Sequence, residues 1–447
     1  MKSSKKMLLA SQNLSYGSSG SAWRSKGSNP YHFMDSDSLV NVAKWSEKGK
    51  FQFVFIADHP ALREDLTNHA PSATLDPIVV TSQIIQETEK IGVVLTQSTT
   101  FNYPYTVARQ LKALDVLSKG RIGWNAVTTN DPRTAANYGE RIADRKNRYE
   151  RAHEFIQIVQ SLWGSWGEAA LKLDTEKGIF ADGSQIKPVN LQGKYVSSRG
   201  PLPIPPSPQG QPVIFQAGGG EEGLELAGMY ASGVYSVAAD IDTGREHRRN
   251  LEQITQAAGR NANEVKMFMG LFVTVGDTYE DALNRRKEML SLMSDELLGK
   301  LYYLSSLVGV SIPYNNLHQP LPEEIQNRLV TDHYQLHSKR AVELFKKGLT
   351  VHDVLAHGVT EFHHTVLGTP EQIADEMQEI FEAGACDGFT ICADQTHDGL
   401  PAFVEKVIPV LQKRGLFHKD YEGTTLREHL GVPYQYGRLN GNNNIKE

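Results

Sequence analysis

Short apolar runs alternate along this chain with longer stretches whose apolar residues recur at helical spacing. Residues 7–10 (MLLA), 52–57 (QFVFIA), 92–96 (GVVLT), 121–127 (RIGWNAV), 213–217 (VIFQA), 234–237 (VYSV), 266–275 and 388–393 (GFTICA) read as strands. Between them the pattern predicts helices over 76–90, 104–118, 147–163, 222–230, about 243–258, onward from Thr278, and over 370–383 and 400–414. Asp76 is a ready N-cap for the first of these, and Pro77 suits its opening position. Strands alternating with helices imply parallel pairing, because parallel neighbours need crossover connections. Eight such units predict an α/β fold of the closed (β/α)8, or TIM-barrel, type in preference to an open doubly wound sheet.

Two segments break the rhythm. Residues of about 165–211 are rich in Gly, Pro and polar groups and contain PLPIPPSP at 201–208. Such a stretch joins neither a packed helix nor a central strand, so it is expected to cross the surface near a barrel mouth. Residues of about 301–369 carry Leu, Tyr and His without a clear period. Both are read as insertions in one domain spanning 1–447, the second able to add helices. The tail, 437–447 (GRLNGNNNIKE), is expected to be mobile.

Composition narrows the class without choosing a function. Hydrophobic residues make up 40% and charged residues 22% of the 447 positions, ordinary globular usage. The net charge of −6 gives no support to a nucleic-acid or anionic-membrane binder. No run approaches the roughly 18 apolar residues of a spanning helix. The apolar run at 7–10 falls short of a secretory core of about 7–15 residues, so a cytoplasmic location is expected. Cys386 and Cys392, the only two cysteines, read as packing residues.

Candidate chemistry gathers at predicted strand ends. The run QAGGGEEG at 216–223 follows a strand and opens a helix, where free backbone N–H groups favour an anion and glycines allow its close approach. Gly218, Gly220 and Gly223 also fit the dinucleotide pattern G-x-G-x-x-G, with Asp240 near the next strand end. That match is short and falls halfway along the chain, so a phosphate site, a dinucleotide turn and a plain tight turn all stay open. Asp58 follows a strand, at the end where barrels place their sites; an N-cap or a loop ion pair explains most such aspartates. Residues 96–100 (TQSTT) and Asn125 put further polar groups at strand ends. Arg145 and Tyr149, four apart, share a helical face that can hold an anion or simply be solvated. The 15 histidines show no metal-ligand spacing, and neither a nucleophile elbow nor a G-x-x-x-x-G-K-[ST] loop is present.

Several of these stretches together form a wider pattern. Residues 51–58 (FQFVFIAD), 96–109 (TQSTTFNYPYTVAR), 114–128 (LDVLSKGRIGWNAVT) and 148–155 (RYERAHEF), continued by 213–223, 368–389 and 414–431, resemble the bacterial-luciferase-like flavin monooxygenases. The resemblance is strongest to the branch of nitrilotriacetate and dibenzothiophene-sulfone monooxygenases. It implies a barrel holding FMN at its C-terminal mouth, reduced by a separate NAD(P)H:flavin reductase, with O2 as co-substrate and a small polar sulfur or nitrogen compound as substrate. It further implies that Asp58, Thr99, Thr100 and Asn125 line the ring pocket, and that Arg145, Tyr149 and the amides of Gly219 and Gly220 hold the phosphate. A homodimer or homotetramer is expected, with no metal; the proton-transfer residues stay unassigned. Two positions depart from the family pattern. Gly220 stands where Ser is common, which removes a hydroxyl from the phosphate site, and Gln52 stands where Asp is common. Arg24, Arg133 and Arg199 are candidates for a substrate carboxylate. A deazaflavin-dependent hydride-transfer enzyme of the same barrel, and a non-catalytic flavin-binding protein, are the rival readings.

Overall fold

Eight of the strands form because their residues are apolar on both faces, the pattern of a sheet covered on each side. In chain order they and one further strand are β1 (Leu8–Gln12), β2 (Phe53–Ile56), β3 (Gly92–Ser98), β4 (Ile122–Val127), β5 (Val213–Gln216), β6 (Gly233–Ser236), β7 (Lys266–Val275), β8 (His364–Gly368) and β9 (Gly388–Ala393). A computed structural model provides these coordinates and describes residues 5–438 apart from 63–65, 68, 72–74, 294–295, 316, 333–334 and 336. Of the tail read as mobile, 439–447 lie outside the described residues. Every barrel pairing is parallel and joins chain neighbours from β1 through β7; β7 then pairs with β9, and β9 with β1, closing the ring. The eight runs read from the sequence are the eight barrel strands.

The ninth strand is an addition that the sequence did not announce. β7 is ten residues long and outruns β6, which pairs only with Lys266–Met269. From Leu271 to Val275 the vacated edge is taken by β8. The junction between the two partners falls at Gly270.

Helix boundaries follow their caps. Pro77–Glu87 begins as predicted, with Asp76 Oδ1 accepting from the Ile78 N–H at 2.8 Å, and ends three residues before the predicted limit. Arg145–Trp163 starts two residues before the predicted limit because the Asp144 carboxylate caps it through the Asn147 N–H at 2.9 Å. Asp240, the acid of the apparent dinucleotide pattern, is an N-cap instead, in a reciprocal capping box with Thr243.

The barrel interior is packed. Phe53 stands edge-on to Phe215 and Phe268, with ring centroids 5.0 and 4.9 Å apart. Leu426, Leu430 and Val432 join this cluster from below and close the foot of the barrel. The mouth is left to the polar strand ends.

Residues 165–211 leave the foot and climb the Arg145–Trp163 helix. There the Tyr195 N–H donates to Glu154 at 2.7 Å; Ser207 and Gln209 then return the segment to Asp115 at the foot. The later segment has its own apolar cluster, in which Leu304, Leu307, Ala341, Phe345, Val354 and Leu355 pack with Ala282 and Leu283 of the Tyr279–Ser291 helix. Three helices, Glu296–Val308, Ser338–Lys346 and Val351–Ala356, share that burial, and irregular stretches between them hide the pattern in the sequence.

Candidate active site

The C-terminal ends of β2 to β6 surround a cavity of about 380 Å³. Phe55, Ala57 and Asp58 come from β2 and the turn after it; Thr96, Gln97 and Ser98 from β3; Asn125 and Val127 from β4; Ala217 and Tyr235 from the far wall. Tyr138 and Phe101 stack at 4.9 Å with only 5° between their planes, and both line the same cavity.

Asp58 and Asn125 are brought together here. Burial, then the neighbouring Asp76 carboxylate, raise the Asp58 acid from 3.8 to about 6. Among the described residues it caps no helix and pairs with no cation. Asn125 donates from Nδ2 to Thr96 Oγ1 at 2.9 Å, while its buried Oδ1 has no partner. A buried acceptor left unsatisfied costs about 1–3 kcal/mol, so this atom suits a ligand N–H or O–H. Thr99 and Thr100 lie one step behind the wall. Thr99 Oγ1 is committed to the Val127 carbonyl at 3.0 Å, whereas Thr100 Oγ1 is buried and unpartnered. Ser98, the residue before them, is the one on the cavity.

The glycine run continues directly from Ala217. Gly220 is the N-cap of the Glu221–Tyr230 helix and has no side chain to accept from the first-turn amides, which stay available to an anion. Gly219 has open space where a Cβ would be. A Cβ on Gly220 would run into the Arg145 guanidinium, so glycine here lets a cation lie against the backbone of the turn. Arg145 Nη2 meets Glu222 at 2.6 Å. Its guanidinium carbon lies 5.9 Å from the centre of the Tyr149 ring. Tyr149 itself opens onto a neighbouring, acid-lined cavity with Glu150, Glu154, Glu222 and Glu225. Arg145, Gly219 and Gly220 thus meet on one rim, with Tyr149 behind them.

The three arginine candidates for a substrate carboxylate do not line the mouth cavity. Arg133 pairs with Asp131 at 3.2 Å, Arg24 donates to the Leu292 carbonyl, and Arg199 is exposed on the 165–211 segment. Among the described residues no cluster of His, Cys, Asp or Glu is arranged to hold a metal ion. No described helix is long and apolar enough to cross a membrane.

A polar barrel mouth beside an anion-ready helix start has many precedents, and comparison with known proteins narrows them. The sequence model of the luciferase-like monooxygenases matches residues 10–387. The chain belongs to that family. It is a flavin-dependent monooxygenase, as the resemblance in its strand-end motifs implied. It is 36% identical over 417 residues to the N-acetyl-S-(2-succino)cysteine monooxygenase of Bacillus subtilis (strain 168), covering 92% of this chain and 93% of that one. Nitrilotriacetate monooxygenase component A of Aminobacter aminovorans is 32% identical over 427 residues, again 92% and 93% of the two chains. The EDTA monooxygenase of Chelativorans sp. BNC1 superposes with a TM-score of 0.79 at 32% identity, covering 96% of this chain and 99% of that one.

Sequence reasoning missed Tyr235 in the cavity wall, together with His363 and Cys392 at its hydroxyl and Gln12 beyond Cys392. His363 reaches Tyr235 over Gly270, at a junction that only the relative lengths of β6 and β7 create. The one available signal was His363, a histidine just before an apolar run, which is too common a feature to interpret.

Proposed function

We propose that the chain is the oxygenase component of a two-component system. It takes reduced FMN from a separate NAD(P)H:flavin reductase and uses O2 to oxygenate a small polar compound containing sulfur or nitrogen. The observation that carries this reading is the continuity of two unlike sites. A mouth with an unsatisfied acceptor, Asn125 Oδ1, runs directly into a helix start with uncapped amides beside the Arg145 guanidinium. A neutral, hydrogen-bonding ring carrying an anionic tail fits both. Asn125, and Asp58 when protonated, would meet the ring; Arg145 and the Gly219–Gly220 amides would take the phosphate, with Glu222 giving up its contact to Arg145. Bound reduced flavin supplies the activation of O2. The chain supplies orientation and a wall against water.

The lining also bears on the substrate. Asp58, Asp76 and Asp131 face the cavity, and its described lining holds neither lysine nor arginine. Asp76, and Asp58 when ionised, repel an anion here, while Arg133 offsets Asp131, so thioethers, sulfoxides and amines fit better than polycarboxylates. The relatives' names, a succinocysteine derivative and an aminocarboxylate among them, keep the heteroatom but do not fix the charge. The test is oxygen consumption with reduced FMN supplied by any flavin reductase, screening thioethers, amines, sulfonates and aminocarboxylates with products identified by mass spectrometry. A thioether or amine product is expected. Oxygenation of polyanions alone would overturn the substrate reading, and no product with any reduced flavin would overturn the proposal. Sizing by light scattering tests the accompanying expectation of a dimer or tetramer.

A further inference from the structure

The later insertion reaches into the barrel at one point. His363 immediately precedes β8, and its ring passes over Gly270, at the junction where β7 exchanges β6 for β8. A Cβ on Gly270 would overlap that imidazole, so the glycine makes the approach possible. The ring ends on β6, with Nε2 2.9 Å from the Tyr235 hydroxyl, and Tyr235 lines the mouth cavity.

The hydrogen positions follow from what surrounds each atom. His363 is buried, and burial lowers its imidazole from 6.5 to about 4, so the ring is neutral near pH 7. The nearest carboxylate, Glu361, is held by Arg286 at 3.1 Å and Lys300 at 3.2 Å. His337, the other titratable group acting on the ring, is likewise lowered to about 4. A neutral imidazole carries one proton. His363 Nδ1 is buried without a partner, and a proton there would be an orphaned N–H, the rarest kind of buried defect. A proton on Nε2 is used, donated to the Tyr235 oxygen. The phenol's own hydrogen then has two directions. One is Cys392 Sγ at 3.6 Å, a weak acceptor whose thiol already donates to Gln12 Oε1 at 3.0 Å. The other is the cavity.

We propose that Tyr235 is the hydroxyl donor of the flavin pocket, and that His363, supplied by the insertion, is the positioning residue that orients the phenol by donating to its oxygen from Nε2. The proposal rests on the reading of the cavity as a flavin site. Tyr235 would hold its proton toward the bound ring, and burial keeps it there: ionisation of this phenol is pushed well above 10.

The test uses apoprotein and FMN-loaded enzyme. In the apoprotein, the histidine 15N resonance lost in His363→Gln should show the Nε2–H tautomer; an Nδ1–H tautomer or a charged ring at pH 7 overturns the assignment. With FMN bound, Tyr235→Phe and His363→Leu should shift the flavin absorption band and change the rate at which O2 reoxidises bound reduced FMN by about tenfold or more. His363→Gln, whose amide nitrogen mimics Nε2–H, should restore both. Tyr235→Phe keeps the ring and its packing, so an unchanged spectrum and rate in that variant overturns the proposal even if the His363 variants fold poorly. If the wild-type protein binds no FMN, the flavin reading of the cavity falls, and this proposal falls with it. If the wild type binds FMN and Tyr235→Phe has no effect, the proposal alone falls.

Discussion

Replacing Asp58 by Asn isolates the cost of placing an acid in the mouth of this barrel. The carboxyl ionises at about 6 instead of 3.8, chiefly because it is half-buried and secondarily because Asp76 is near. At about 1.36 kcal/mol per pH unit, that difference is about 3 kcal/mol. Solvent reaches part of the group, so screening reduces the cost to about 1–2 kcal/mol. The sign follows from proton counting. Between pH 3.8 and about 6 the folded protein holds the Asp58 proton and the unfolded chain does not, so stability from this group falls as pH rises through that window. Asn has no charge to bury. Asp58→Asn should therefore match the wild type near pH 4 and exceed it by about 1–2 kcal/mol at pH 8. Urea denaturation of the apoprotein at the two pH values reads this directly. A variant equally shifted at both, or less stable at pH 8, would refute the reasoning and leave Asp58 as an ordinary surface acid.

Three other outcomes are expected. Arg121 is buried and donates to the Ile85, Thr88, Ile91 and Ser118 carbonyls at 2.8–3.0 Å; Arg121→Met leaves them unpaired and should cost about 3–5 kcal/mol in urea denaturation. Asp115→Ala should destabilise by a similar amount, about 3–5 kcal/mol, because it leaves the buried Lys112 without its carboxylate and releases Ser207 and Gln209. Since Asp115 lies at the foot, flavin affinity should be unchanged by titration. Burial pushes the Cys392 thiol up to about 12 and raises Cys386 further, so a thiol reagent at pH 8 should label neither until the protein unfolds; rapid native labelling would contradict their burial.

The eight barrel strands were legible because each announces itself as an apolar run bounded by turn residues; β8, equally buried, was not, because its run HTVLG opens on a histidine and directly follows the irregular insertion. The helix start at Asp76 and Pro77 was legible because an N-cap acid and an opening proline coincide, whereas Asp144, which caps the Arg145–Trp163 helix, lies in a charged run and does not stand out. Asp240 fits a short glycine pattern yet caps a helix, and only its partner Thr243 reveals that role. Asp58 was ambiguous because a carboxylate after a strand looks the same whether it faces a loop or a cavity. The later insertion was hard to read because irregular stretches separate its helices, which pack into one cluster with the Tyr279–Ser291 helix instead of following a strand–helix rhythm. Tyr235 and His363 are 128 positions apart, and the offset between β6 and β7 that joins them is a property of the closed barrel.

The central claim, that one pocket grips both a polar ring and its phosphate tail, is tested most directly by titrating the purified protein with FMN and with riboflavin, in the wild type and in Arg145→Ala. A charge-assisted hydrogen bond contributes about 1.5–3 kcal/mol, so FMN should bind the wild type about 10- to 100-fold more tightly than riboflavin, and Arg145→Ala should remove most of that preference while leaving riboflavin affinity unchanged. Equal affinity for the two flavins, or a preference that survives loss of Arg145, would contradict it.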